Sequence, residues 1–124
     1  MRGAGHVSAL TLTPDGRYVL TAAHGTWDLK VWDLENATEP RTLSGHAAAI
    51  SALAMMPGGL HAVSVSRDRT LKVWDTRTWC EIATFTGDAP FSACAIGPPN
   101  IIVAADNVVE SETSGRLDVL RLEV

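Results

Sequence analysis

The sequence predicts an all-β fold of three tandem repeats with eleven strands, and two internal repeats together with the spacing of turn residues carry that expectation. Val7-Ser8-Ala9-Leu10 followed by Pro14-Asp15-Gly16 returns as Ile50-Ser51-Ala52-Leu53 followed by Pro57-Gly58-Gly59, at an offset of 43 residues. It returns again, eroded, as Phe91-Ser92-Ala93-Cys94 followed by Pro98-Pro99-Asn100, at a further offset of 41. Leu29-Lys30-Val31-Trp32-Asp33 recurs as Leu71-Lys72-Val73-Trp74-Asp75 at an offset of 42, and more distantly as Leu117-Asp118-Val119-Leu120-Arg121 at 46. Between these blocks lie short β-branched or alternating runs, punctuated by turns about every 8 to 12 residues and without a helical period.

In the first unit, strands are expected over 7–13, 18–23, 28–34 and 40–44, with Asp15-Gly16 as a hairpin turn because Gly accepts positive φ and Asp bonds back to the backbone. The second supplies 50–56, 61–66, 70–76 and 81–86, broken by Pro57-Gly58-Gly59, Arg67-Asp68-Arg69 and the turn 77–80. The third supplies 91–96, 101–105 and 116–124, one strand short of a full set. The innermost strands carry small apolar residues (Ala9, Leu10, Leu12; Ala52, Leu53, Met55; Ala93, Cys94, Ile96), as strands covered by neighbouring sheets should. The polar stretch 106–115 is read as an irregular hairpin loop.

A period of about 40 to 45 residues closed by Trp-Asp marks four-stranded propeller blades, and the repeat resembles the WD40 family over essentially the whole chain. The resemblance implies blades over about 5–45, 46–87 and 88–124, the last lacking its outer strand. Three blades do not close a ring that typically takes about four to eight. The expectation is therefore an incomplete propeller, finished by further blades of a longer chain or by homo-oligomerisation. Met1-Arg2-Gly3-Ala4 is too short to supply the missing outer strand, so apolar edges at 116–124 and at Val7, Leu10 and Leu12 are expected to seek partners.

His46, Ser64 and Asp68 are the residue types of a nucleophilic triad, which invites a hydrolase reading centred on His46 and Ser64. The family resemblance implies a different role. In WD40 repeats a Gly-His pair, a second-strand Ser or Thr, a turn Asp and a third-strand Trp form a hydrogen-bonded structural tetrad, and Gly45-His46, Ser64, Asp68 and Trp74 match those positions. Buried indole, hydroxyl and imidazole groups must all find partners, which such a chain provides. Thr21 and Trp32 match Ser64 and Trp74 in the first unit, where no counterpart of Asp68 is evident and His6 does not stand in for His46. In the third, Asp88 and Leu120 replace His and Trp.

Other function classes find little support. With a net charge of −4 and ten scattered Lys and Arg, the chain has no cationic cluster for nucleic acid. The four histidines and the cysteines Cys80 and Cys94 lack metal-ligand spacing, no nucleotide-binding glycine pattern occurs, and neither a metal nor a cofactor is expected. No apolar run suits a membrane span or a signal segment, so a cytoplasmic protein with no membrane partner is expected. The leading reading is a non-catalytic scaffold that binds a protein or peptide through the turns between second and third strands and the loops entering the inner strands. His24, Trp27, Ala48 and Arg67 are its candidate contacts. The stretch 83–123 further resembles the closing blades of WD-repeat regions in large bacterial signalling proteins, where the propeller follows nucleotidase-switch, kinase, protease-like or TIR-type domains. That likeness implies a sensor or regulatory module; a free-standing, self-assembling short protein is the alternative.

Overall fold

Period-2 alternation puts successive side chains on opposite faces, and within each repeat the short turns favour pairing of each strand with its predecessor. The computed structural model describes residues 7–23, 27–36, 39–87, 89–97, 101–109 and 114–121. Strands β1 (Val7–Leu12), β2 (Tyr18–Ala23), β3 (Leu29–Asp33) and β4 (Arg41–Leu43) form one antiparallel meander in that order. A second consists of β5 (Ile50–Met55), β6 (His61–Ser66), β7 (Thr70–Asp75) and β8 (Glu81–Thr86), and a third of β9 (Phe91–Gly97), β10 (Ile101–Val109) and β11 (Ser114–Arg121). Eleven strands are thus present among the described residues, in sheets of four, four and three.

The sheets stack through their inner strands, β1 against β5 and β5 against β9. Alternation makes the middle sheet a buried slab. Ala62 and Trp74 join Leu20, Leu29, Val31 and Trp79 in a core facing the first sheet, while Val63, Val65, Leu71 and Val73 join Phe91, Ile102 and Ala104 in a core facing the third. The inner strands were expected to be covered on both sides. Among the described residues only β5 is; on β1, with one neighbouring sheet among them, Leu10 is 63% and Leu12 49% exposed.

Two differences from the sequence expectation concern strand length and register. The supposed irregular segment 106–115 is largely strand: β10 continues to Val109, which pairs with Ser114, and Asp106 pairs with Arg116. Ladder hydrogen bonds need only backbone N–H and C=O groups, so polar side chains do not end a hairpin arm whose partner continues alongside. Of the segment's polar core, 110–114, residues 110–113 lie outside the described residues, as do 122–124. Second, each inner strand carries a β-bulge at the same repeat position. Val7 and Ala9 oppose Ala23 and Ala22, Ile50 and Ala52 oppose Ser66 and Val65, and Phe91 and Ala93 oppose Asp106 and Ala105. The extra residues are Ser8, Ser51 and Ser92.

Candidate functional site

Ser64 lies in mid-β6 with no exposed surface, between Trp74 on β7 and His46 in the β4–β5 loop. The Trp74 indole N–H donates to Ser64 Oγ at 2.9 Å, and Ser64 Oγ stands 2.6 Å from His46 Nε2. His46 Nδ1 in turn lies 3.0 Å from Asp68 Oδ2. Since an ionised carboxylate only accepts, Nδ1 carries the proton and the neutral Nε2 accepts from Ser64, giving one directed relay from indole to carboxylate. Gly45 packs closely before His46: a Cβ there would touch the Trp74 ring at 3.5 Å and meet Glu81 Oε1, the end of a flexible side chain, at 3.2 Å. Lys72 of the same face is paired with Glu81 at 2.7 Å.

Asp68 ties two connections together. Its Oδ2 accepts from the Ala47 N–H at 2.8 Å and its Oδ1 from the Thr70 N–H at 2.8 Å, with the Thr70 hydroxyl also donating to Oδ1. Arg69 turns the chain with φ of 73°. Burial pushes the Asp68 carboxyl upward, but the Thr70 hydroxyl, the Ala47 N–H and His46 outweigh it and hold the group down at about 2. Burial lowers the pKa of His46, against the opposing pull of Asp68, which keeps the imidazole neutral near pH 7. The serine is therefore enclosed, with its lone pair engaged by an indole rather than facing a cleft. In the first sheet Trp32 Nε1 donates to Thr21 Oγ1 at 2.9 Å, a two-membered version of the same contact.

Matching to protein families finds WD domain, G-beta repeat, at residues 2–33 and 37–75. The chain belongs to the WD40-repeat family. The second WD40 match starts ahead of β4, the outer strand of the first sheet, and ends at Asp75 on β7, so this sequence repeat straddles two blades. Nuclear distribution protein PAC1 of Coccidioides posadasii is 41% identical over 76 residues, which cover 60% of this chain and 16% of that protein. Eukaryotic translation initiation factor 3 subunit I of Culex quinquefasciatus is 28% identical over 75 residues, 60% of this chain and 23% of its own. WD repeat-containing protein 89 homolog of Dictyostelium discoideum is 36% identical over 73 residues, 59% and 20% respectively. The matched part thus spans under a quarter of these eukaryotic relatives.

The loop and turn locked by Asp68 sit at one end of the WD40 sheets. Arg67 is exposed there, Ala48 is half-buried, and Trp27, just ahead of β3, is 56% exposed. His24 lies outside the described residues. An open cleft of about 410 Å³ at this end is lined by all three sheets. Its three bulge serines were not singled out from sequence, although their recurrence in the repeat was visible. Also missed was Trp79, buried in the β7–β8 turn with φ of 58° and packed edge-on against Tyr18, ring centroids 5.6 Å apart. A bulky residue in the left-handed region carries no sequence mark.

Proposed function

We propose that this chain is a non-catalytic, cytoplasmic protein-interaction scaffold that binds a protein or peptide at the end bearing Trp27, Ala48 and Arg67. WD40-repeat chains are generally scaffolds, and the observation that carries the finer reading is the Asp68 clamp. One carboxylate immobilises the β4–β5 loop and the β6–β7 turn together, so this end is preorganised and loses little entropy on binding. The exposed Trp27 at the same end of the sheets is the residue type that most often anchors an interface. Free Cys80 and Cys94 suit a reducing compartment. The likeness of 83–123 to bacterial signalling chains favours a sensor or regulatory role within a larger protein. Exposed Leu10 and Leu12 on edge strand β1 favour completion by further blades or by a second copy.

A photo-crosslinking amino acid placed at Trp27 or Ala48 should capture partners, while the same group at Leu34 or Thr78, in turns at the opposite end, should not. Equal capture from both ends would overturn the assignment. Trp27→Ala should weaken capture yet leave the unfolding midpoint within about 0.5 kcal/mol of the parent, as for an ordinary surface change. For self-association, light scattering after size exclusion should give a mass above the 13.2 kDa of one chain; a cooperative, purely monomeric species would rule it out.

A further inference from the structure

We propose that the cleft at this end is a subsite for a carboxylate side chain, an aspartate or glutamate of the bound segment, held by Arg67 and Ser51; the inference rests on the interaction surface assigned above. The cleft is lined by Ser8, Ser51 and Ser92 with Ala23, Ala49, Ile50 and Arg67. Although the chain carries more acids than bases, the lining holds one cation and no acid among the described residues. Among the described residues the Arg67 guanidinium makes no ion pair, and the adjacent Asp68 carboxylate is already occupied by Ala47, His46 and Thr70. A guanidinium with no ion pair among the described residues, on the lining of a concavity whose described residues include no acid, selects an anion, and its planar fork matches a carboxylate with two parallel bonds.

The bulges supply the second observation. In a regular ladder a strand position has a fixed cross-strand partner and a fixed face, whereas the extra residue of a bulge is re-aimed, and bulges gather beside functional sites for that reason. Here three of them, one per sheet, bring a serine to the same cleft. Ser8 Oγ donates to the Ala22 carbonyl at 3.1 Å and Ser92 Oγ to the Ala105 carbonyl at 3.3 Å. Both are long for O–H···O bonds, so these hydroxyls are weakly committed. Ser51, between them, has no such carbonyl partner among the described residues and is the hydroxyl best placed to donate to a ligand. Charge also selects the occupant: one guanidinium balances a carboxylate's single charge, while a phosphomonoester near −2 would call for a second cation, which the lining lacks among the described residues.

The test is a titration of the isotope-labelled chain with N-acetyl-glutamate methylamide, followed by NMR, with the glutamine analogue as the neutral control. Glutamate should shift the Arg67 side-chain N–H and the backbone amides of Ser8, Ser51 and Ser92 saturably, and glutamine should not. Arg67→Gln should weaken the effect at least about tenfold and Ser51→Ala about three- to tenfold, the worth of a charge-assisted and an ordinary hydrogen bond. Unchanged Trp32 and Trp74 indole signals would show that the variants remain folded. Equal response to both compounds, persistence in Arg67→Gln, or tighter binding of the phosphoserine analogue would overturn the carboxylate assignment. If crosslinking from Trp27 and Ala48 persists while glutamate leaves Arg67 unmoved, this inference fails and the interaction surface stands; loss of the crosslinks removes the surface itself.

Discussion

Ser64→Ala separates a structural relay from a catalytic one, because it deletes one oxygen that two buried groups share. Trp74 is 3% exposed, His46 7% and Ser64 0%, so neither the indole N–H nor the imidazole Nε2 has water as a substitute partner. Each orphaned buried group costs about 1–3 kcal/mol, so the substitution should destabilise by about 2–6 kcal/mol. Against a total stability of about 5–15 kcal/mol, the urea midpoint should fall steeply with little change in slope. Thr21→Val in the first sheet orphans only the Trp32 N–H and should lose about half as much, about 1–3 kcal/mol. Ser64→Thr keeps the hydroxyl and should recover most of the loss. In a Trp74→Phe background, where the indole donor is already gone, Ser64→Ala should cost less, and the difference measures the coupling. Far-UV circular dichroism under urea is the assay. A Ser64→Ala cost below about 0.5 kcal/mol, or no coupling to Trp74→Phe, would refute the relay; covalent labelling of Ser64 by a serine-directed phosphonate would restore the hydrolase reading.

Stability should fall in acid in two stages. Both groups have lowered pKa values in the folded state, so the unfolded chain binds more protons; His46 withdraws stability as pH falls below its ordinary 6.5, and Asp68 as pH falls from about 3.8 to about 2. Urea midpoints across pH would reveal this, with His46→Gln abolishing the upper stage. At Trp79, both Ala and Gly lose the packing on Tyr18, but only Gly relieves the left-handed backbone, so Trp79→Ala should be the less stable by about 1–2 kcal/mol; the reverse order would contradict the φ of 58°. Gly59→Ala combines a φ of +76° with a Cβ 2.7 Å from Pro14 Cδ, and thermal unfolding should register a loss of about 2–4 kcal/mol. A neutral result would mean that the Pro14 and Gly59 turns do not touch.

What was legible in the sequence follows from where the physics is local. The pairing of β6 with β7 follows from alternation and a three-residue turn, and once Ser64 and Trp74 are placed on neighbouring strands their hydrogen bond needs no long-range information. His46 reaches Ser64 from the loop ahead of β5, 18 residues away in sequence, and that contact was legible only through the family resemblance. The bulges at Ser8, Ser51 and Ser92 escaped because a period-2 reading assigns faces but not register, and one extra residue at the start of a strand leaves the apolar pattern beyond it intact. Trp79 escaped for the opposite reason: turn chemistry favours Gly where φ is positive, and here packing against Tyr18 in the first sheet overrides the local preference. Both misses lie where adjoining sheets meet, the three serines around one cleft and the indole in the core between the first two sheets. What cannot be read one blade at a time is the packing of blade against blade, and that packing shapes the surface assigned here to a partner.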